Sequence, residues 1–284
     1  MPAKKKSTAE KKNTKQEKRR PVAMAIAAHP DDIEFYMAGT LLKLKEAGYE
    51  IHYMNLSRGN QGSVEMDSTT TALTRLKEAK KAAAVLGATF HGPVCNDMEI
   101  IFSVPTLKKV SAAIRKAQPE IILTHSPDDY MEDHMETCRI AVTAAFTKGM
   151  PNFKSTPNIA TSQQDITIYH AMPHSLCDPL RRRVIAGAYV DCSSTHETKL
   201  AALKEHASQQ NWLDVSQGMN SYLQTLVTFS KVVGKLSGKF KHAEGWRRHL
   251  HFGYASKESD PMKKALGKAC RINKEYEKAL KKGF

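Results

Sequence analysis

The sequence lacks any apolar run long enough to cross a membrane. No stretch of its 284 residues approaches the ~20 consecutive apolar residues that a membrane-spanning helix needs. The cationic N-terminus is not followed by the apolar segment that is typical of a secretory signal. We therefore expect no integral membrane segment and a cytoplasmic location.

Cysteine is scarce and shows no paired spacing. The chain has five cysteines, and this odd, scattered set does not resemble a disulfide framework. They are Cys95, Cys138, Cys177, Cys192 and Cys270. We expect some of them to lie in the core as small apolar side chains, in a protein of a reducing compartment.

Acidic residues are too few to balance the basic ones, and the formal net charge is +14. Much of the excess lies at the two ends. Residues 1–20 have no apolar periodicity, which predicts a disordered basic tail. The Lys-rich residues 257–284 have helical spacing, which predicts a basic C-terminal helix. This helix would either pack on the domain or extend from it. Such ends favour contact with a polyanion, although a solvated tail that maintains solubility is the simpler interpretation. No nucleic-acid motif with interleaved aromatic residues accompanies them.

Apolar runs typical of buried strands alternate with helical patterns in the first half of the chain. The predicted strands are residues 22–28, 51–56, 88–94 and 120–124, with two more at 166–171 and 186–190. This alternation predicts an α/β fold, with a Rossmann-like, mostly parallel sheet flanked by helices. Residues 198–236 read as helical with a break near Gly218. One domain over residues 21–256, with helical C-terminal additions, is the economical interpretation.

The first predicted strand ends abruptly at His29-Pro30-Asp31-Asp32. Pro30 cannot continue the strand and restrains the residue before it to an extended conformation. Open α/β sheets bind ligands at the carboxyl ends of their strands, so this motif is a candidate site. The simpler interpretation is that one Asp caps the following helix. A cap needs only one Asp, however, which leaves a histidine and a second carboxylate unexplained.

A second polar group, Asp133-His134, follows the fourth predicted strand. Catalytic zinc sites use three nitrogen or oxygen ligands and leave a fourth position for water. His29 and Asp32 lie three positions apart across a strand-to-helix turn, and a histidine from a second strand end completes such a set. The zinc would lower the pKa of a water molecule and polarise a carbonyl group. Asp31 is then placed to take the proton of the water.

The sequence Ala-His-Pro-Asp-Asp-Ile-Glu at residues 28–34 resembles the signature of the PIG-L/LmbE-like N-acetylglucosaminyl deacetylases. Later segments are similar to further motifs of that family. They are Arg75 with Glu78, Asn96-Asp97, Asp133-His134, Asp191, Lys199, His206, Ser208-Gln209 and Glu244-Gly245-Trp246-Arg247. The resemblance covers residues 22–255 and leaves both basic ends outside it.

The resemblance implies a Rossmann-like sheet and a zinc hydrolase that deacetylates a small amino-sugar conjugate of the N-acetylglucosamine type. The implied ligands of one Zn²⁺ per chain, with iron(II) as the alternative metal, are His29, Asp32 and His134. Asp31 would be the general base and also the acid that protonates the leaving amine. Arg75 and Asp97 would contact the sugar or organise the site.

The chain departs from the family at one point of the second metal motif. The family often has His-Pro-Asp-His there, whereas this sequence has Met131-Glu132-Asp133-His134. Met131 can neither donate a hydrogen bond nor carry charge. Losing one donor to the tetrahedral intermediate can cost ~2.7–4 kcal/mol, so we expect either a replacement donor or weaker activity on standard substrates. The candidate replacements are Arg58, His125 and Tyr130.

Several shorter features have two interpretations each. Gly59-x-x-Gly62 is a weak signal for phosphate or sugar contact, and a plain turn explains it equally well. His170 and His174 flank a strand end, where they would line a pocket or lie on the surface. Tyr222 follows a helical pattern that is more typical of a core residue than of a sugar platform.

Two alternatives to the deacetylase hypothesis remain open. One is a metal-dependent amidase of other N-acyl conjugates, such as thiol conjugates. The other is a basic polyanion-binding protein whose deacetylase site is vestigial. The sequence also leaves open the aglycone of the substrate, the native metal, and whether the chain forms a homo-oligomer.

Overall fold

A mixed sheet runs through the part of the chain that the computed structural model describes, residues 19–217 and 222–282. Its eight strands follow the order β3-β2-β1-β4-β5-β7-β6-β8. They are β1 (Val22–Ala27), β2 (Glu50–Asn55), β3 (Thr89–His91), β4 (Ile121–Thr124), β5 (Thr167–Ala171), β6 (Ala188–Asp191), β7 (Ala243–Arg248) and β8 (Cys270–Ile272). The first five strands in the chain pair in parallel, which confirms the mostly parallel α/β prediction.

Helices cover both faces of this sheet. They are α1 (Asp32–Tyr36), α2 (Ala38–Glu46), α3 (Ser68–Leu86), α4 (Val104–Ala117), α5 (Glu132–Phe146), α6 (His196–Lys204), α7 (Ala207–Gln217), α8 (Tyr222–Leu236), α9 (Pro261–Leu266) and α10 (Lys274–Lys282). None of the helices described is both long and apolar enough to cross a membrane. The predicted break near Gly218 lies outside the described residues.

The unbroken apolar character of β1 follows from its central place between β2 and β4. Ala23, Ala25 and Ala27 point into the core on one face of the sheet, under α1, α2, α3, α6 and α8. The alternate residues Val22, Met24 and Ile26 point into the second core, under α4 and α5. Because successive strand residues face opposite sides, a strand buried on both faces is apolar throughout.

The C-terminal third of the chain adds an antiparallel half to the sheet. Strand β7 pairs with β5 and β6, and β8 pairs with the far side of β6. The segment predicted as one basic helix is therefore two helices, α9 and α10, separated by an edge strand. Of the predicted basic tail, residues 1–18 lie outside the described residues.

The strand order reverses between β1 and β4, which creates the crevice where open α/β sheets bind ligands. From β1 the chain crosses to β2 and β3 on one side, and later to β4 and β5 on the other. The His29–Asp32 motif follows β1, and residues 125–134 follow β4. The fold thus places both predicted metal-binding segments at the same edge of the sheet.

Candidate active site

Asp31 has a backbone conformation that side-chain-bearing residues rarely adopt, with φ at 111° and ψ at −24°. Its carboxylate makes no capping hydrogen bond to α1, so the helix-cap interpretation fails for this residue. The Tyr222 hydroxyl on α8 instead donates to Asp31 Oδ2 at 2.6 Å. Strained backbone of this kind is concentrated at active sites, where surrounding contacts hold it in place.

His29, Asp32 and His134 converge on one point. One potential ligand atom from each of the three residues lies within 4.8 Å of the others. His29 Nδ1 is 3.3 Å from Asp32 Oδ2, and His134 Nε2 is 3.3 Å from Asp32 Oδ1. The structure therefore brings the three predicted metal ligands together.

His29 and His134 each use one ring nitrogen toward Asp32, and a second carboxylate contacts the remaining ring nitrogen of each. His29 Nε2 is 2.9 Å from Asp133 Oδ2, and His134 Nδ1 is 3.1 Å from Asp129 Oδ1. When those nitrogens donate, the neutral rings present bare nitrogens to the Asp32 carboxylate. Two acceptors that face each other need a cation between them, and a carboxylate behind each ligand histidine is typical of zinc sites.

The charge of the pocket supports the same conclusion. Burial alone would lower the pKa of both histidines, but the carboxylates around them raise the pKa of His29 to about 10 and that of His134 to about 9. The surrounding acids thus strongly favour positive charge at this point. Two nitrogens and a carboxylate, open on one side to a cavity, fit a catalytic zinc ion.

A second group, His125, Asp129 and His134, also lies within metal-binding distance. His125 and Asp129 already have other hydrogen-bond partners. His125 Nε2 accepts the backbone N–H of Ala28 at 2.9 Å, and Asp129 holds the outer nitrogen of His134. Neither His125 nor Asp129 lines the cavity, so substrate would not reach a metal there. The first group is the better site.

A cavity of about 420 Å³ opens beside the first group. The predicted site residues that line it are His29, Asp31, Asp32, Arg75, Asp97, Tyr130 and His134. Two predicted substrate contacts do not reach it. His125 is buried behind Asp32 and stacks on His134, with ring centroids 4.1 Å apart. Arg58 lines a separate surface depression beside Cys95 and Asn96.

The Gly59–Gly62 loop packs against Arg75. A Cβ on Gly59, whose φ is +69°, would lie 2.5 Å from Arg75 Cδ, and one on Gly62 would lie 2.9 Å from Arg75 Nη2. The loop amides of Gly59 and Gln61 donate to the Asp97 carboxylate at 2.8 and 3.1 Å. The two glycines therefore allow the loop to hold Arg75 and Asp97 at the cavity wall.

The two adjacent carboxylates of the first motif have opposite electrostatic environments. Burial, with a further contribution from the charge of Asp32, raises the pKa of Asp31 to about 6. Burial also acts to raise the pKa of Asp32, but the charges of His134 and His125 hold it well below its ordinary value. Pairs of acids separated in this way commonly divide the roles of proton carrier and permanent anion.

The structure adds residues to the site that the sequence did not assign. Asp129 lies only five positions before His134, so a search for carboxylates near each ligand would have found it. Tyr222 lies 191 positions from Asp31, and no local pattern connects them. The sequence allowed His174 either a place in the pocket or a place on the surface. In the structure His174 lines the cavity, and its Nδ1 lies 3.2 Å from the Tyr36 hydroxyl.

The chain is similar in sequence to proteins that are named as deacetylases. The family model described as GlcNAc-PI de-N-acetylase (PIG-L) matches residues 24–146. Diacetylchitobiose deacetylase from Thermococcus kodakarensis is 30% identical over 236 residues, which cover 79% of this chain and 81% of the relative. The chain belongs to the PIG-L family. It is an enzyme of the deacetylase type that this family model and this relative represent.

Two further proteins are similar to the chain, one in sequence and one in structure. The 4-oxalmesaconate hydratase from Pseudomonas putida is 27% identical over 197 residues, which cover 66% of this chain and 74% of the relative. N,N′-diacetylchitobiose deacetylase from Pyrococcus horikoshii has a similar structure, with a TM-score of 0.66 at 23% identity. That match covers 86% of this chain and 89% of the other and supports the shared fold.

Proposed function

We propose that this PIG-L family member is a zinc-dependent hydrolase that removes the N-acetyl group from a substrate of the N-acetylglucosamine type. The observation that carries the proposal is the convergence of His29, Asp32 and His134 beside Asp31 at one cavity. The T. kodakarensis relative, named a diacetylchitobiose deacetylase, supports the substrate class.

The proposed chemistry begins with Asp31. A bound zinc ion would acidify water and polarise the acetyl carbonyl group. Because Tyr222 donates to Oδ2 of Asp31, the second oxygen, Oδ1, is available to take a proton from the attacking water. The hydroxide oxygen bonds to the carbonyl carbon, and the tetrahedral intermediate then breaks its C–N bond. Asp31 returns the proton to the leaving amine, and the acetic acid that forms gives up its own proton to solvent, so acetate and the amino sugar are the products.

Arg75 and Asp97 are the proposed contacts for the sugar hydroxyls. Both line the cavity and both are fixed by the Gly59–Gly62 loop, with Arg75 Nη2 donating to the Gly62 carbonyl oxygen at 2.6 Å. Side chains that are already held in place lose little conformational entropy when substrate binds. Tyr130, which is 58% exposed, would contact the part of the substrate nearest the cavity mouth.

Replacing Asp31 by Asn tests the proposed chemistry. The amide cannot accept the proton of water, so acetate release from N,N′-diacetylchitobiose should fall ~10²–10⁴-fold. Bound zinc, measured by mass spectrometry, should be retained in Asp31→Asn and lost in His29→Ala. Unchanged deacetylation in both variants would refute the proposal.

A substrate panel separates the deacetylase from its alternatives. It should include N-acetylglucosamine, its disaccharide, N-acyl thiol conjugates and the substrate of the hydratase relative. Acetate release restricted to the sugars supports the proposal, whereas turnover restricted to another class replaces it. Reconstitution of metal-free protein with zinc or iron(II) identifies the metal that supports greater turnover.

We also propose that the basic ends contact a polyanion and that the enzyme is cytoplasmic, in keeping with its free cysteines. Retention on heparin that weakens with salt, and that is lost when residues 1–18 are removed, would support the polyanion contact.

Light scattering would show whether the chain is a monomer or a homo-oligomer.

A further inference from the structure

His174 occupies a fixed position in the cavity wall. It follows β5 at the carboxyl edge of the sheet, and it lines the same cavity as Met131 and His134. Its ring lies parallel to that of Phe229, with centroids 5.9 Å apart and planes 2° apart, and meets the edge of Phe35 at 6.1 Å. These aromatic contacts, from α8 and α1, leave the imidazole little rotational freedom.

The hydrogen bond to Tyr36 determines which nitrogen of His174 carries a proton. A tyrosine hydroxyl carries its proton at neutral pH, so the Tyr36 hydroxyl can donate. Burial lowers the pKa of His174, so the ring is neutral and one nitrogen is bare. Among the described residues, the structure gives the Tyr36 hydroxyl one hydrogen-bond partner, His174 Nδ1 at 3.2 Å. If the hydroxyl donates to Nδ1, the proton of the ring is on Nε2.

The Tyr36–His174 pair lies close to the metal ligands. The Tyr36 ring is 6.4 Å from the ring of His134. His174 also experiences the charges of Asp129, His134 and Asp32. Tyr36 uses Nδ1 of the ring. With the Tyr36 hydroxyl as donor, Nε2–H is the polar group that His174 has left to offer the cavity that it lines.

We propose that His174 donates a hydrogen bond from Nε2 to the carbonyl oxygen of the acetyl group and stabilises the negative charge that develops on it. The inference rests on the proposed deacetylase function. It supplies a donor at a site where Met131 replaces the histidine of the family motif. A fixed donor aimed at developing charge is among the largest single contributions to catalysis of acyl transfer.

The other candidate donors are less well placed. His125 does not line the cavity, and its Nε2 accepts the N–H of Ala28. Arg58 lies in a separate depression, and the Tyr222 hydroxyl is engaged by Asp31. Tyr130 remains as the competitor, because it lines the cavity mouth and is 58% exposed.

The experiment compares His174→Phe with Tyr130→Phe in the full-length, zinc-loaded chain. Phe keeps a flat ring against Phe229 but has no donor. With N,N′-diacetylchitobiose we expect kcat of His174→Phe to fall ~10²–10³-fold. We expect its KM to change less than about threefold, since the lost hydrogen bond strengthens only in the transition state. Tyr130→Phe should lose less than about tenfold in kcat, and both variants should retain bound zinc.

Binding measurements provide a readout that does not depend on turnover. A phosphonamidate that mimics the tetrahedral intermediate should bind His174→Phe about 10²-fold more weakly than wild type by calorimetry. Glucosamine, which lacks the acetyl group, should bind both proteins equally. His174→Gln, whose amide can donate, should recover at least about tenfold of the lost kcat. Tyr36→Phe, which frees the ring to change tautomer, should show an intermediate loss.

Three results would overturn the inference while leaving the deacetylase function intact. One is wild-type kcat in His174→Phe. Another is a greater loss in Tyr130→Phe than in His174→Phe. The third applies if His174→Phe does not fold or does not bind zinc. In that case two findings together would refute the inference. Tyr36→Phe would have the kcat and the analogue affinity of wild type, and a folded His174→Gln would have no activity. A wild-type enzyme that releases no acetate from any sugar of the panel would instead refute the proposed function itself.

Discussion

The two histidines proposed as metal ligands depend on carboxylates outside the proposed ligand set. Asp133 accepts from His29 Nε2 at 2.9 Å and from the backbone N–H of Met98 at 2.8 Å, so its position is fixed before any metal binds. Asp129 holds His134 in the same way. These bonds select the tautomer and orientation of each ring and make its free nitrogen more basic.

Replacing Asp133 by Asn should therefore weaken zinc binding without removing a ligand. We expect the zinc affinity to fall ~10–100-fold, since the amide is a weaker acceptor and no longer carries the charge. Competition with a chromophoric chelator measures the change. Asp128→Asn is the matched control, because Asp128 is exposed and lies outside the cavity lining. Equal affinities in the two variants would contradict this account.

Sequence could identify residues of the site only where they lie within a local motif. The three proposed ligands and Asp31 follow from His-Pro-Asp-Asp and Asp-His at two strand ends. The contact of Tyr222 with Asp31 depends on how α8 packs on α1, which no local pattern encodes. Arg58 and His125 were candidate donors that each follow the end of a strand, and neither lines the cavity.

Among the elements, the parallel half of the sheet and β6 were predictable from the sequence, whereas β7 and β8 were not. Strands β1, β2 and β4 are buried on both faces, so their apolar runs stand out against amphipathic helices. Strand β7 instead reads Ala-Glu-Gly-Trp-Arg-Arg, and Cys270–Ile272 lies within a Lys-rich segment. Neither has the apolar alternation by which strands are recognised, because β7 carries a buried ion-paired Glu and β8 is an exposed edge.

That Glu, Glu244, binds the start of α2. Its two oxygens accept the N–H groups of Gly39 and Thr40, both at 2.8 Å. Lys199 on α6 balances its charge, with Nζ 2.7 Å from Oε1, and both side chains are almost fully buried. A buried pair of this kind is favourable only while both partners and their hydrogen bonds stay in place. This contact ties α2 to the antiparallel half of the sheet.

Gly39→Ala should disrupt this contact. The added Cβ would lie 2.6 Å from Cys192 Sγ and 2.9 Å from Glu244 Oε1, and both of these side chains are buried. We expect the free energy of unfolding in urea to fall by ~1–3 kcal/mol. Gly92→Ala is the control, since its Cβ would meet no atom within 4 Å. Equal stability of the two variants would mean that α2 can shift without cost.

At the scale of the whole molecule, three pairs of histidines lie outside the lining of the active-site cavity. His52 Nδ1 lies 2.8 Å from His91 Nε2, and His170 Nε2 lies 2.9 Å from His249 Nδ1. A third pair, His196 and His242, stacks with centroids 3.9 Å apart. Burial, helped by the charge of the partner ring, lowers the pKa of one member of each pair to about 4.

These pairs should make the protein less stable in mild acid. Between pH ~6.5 and ~4 the unfolded chain binds protons on these rings and the folded chain does not, so the free energy of unfolding falls as the pH falls. His91→Asn removes one such group, and urea unfolding over this range should show a shallower pH dependence than wild type. If the free energy of unfolding of His91→Asn has the same pH dependence as that of wild type, the histidine pairs do not cause the loss of stability in mild acid.

The hydrogen bond between Tyr222 and Asp31 has a consequence for the order in which the enzyme becomes active during synthesis. A growing chain carries all three proposed ligands once residue 134 has emerged from the ribosome. The hydroxyl that orients the proposed base is made only later, and it reaches Asp31 after α8 has packed. A nascent chain would thus carry the proposed ligands before it carries the hydroxyl that orients the proposed base.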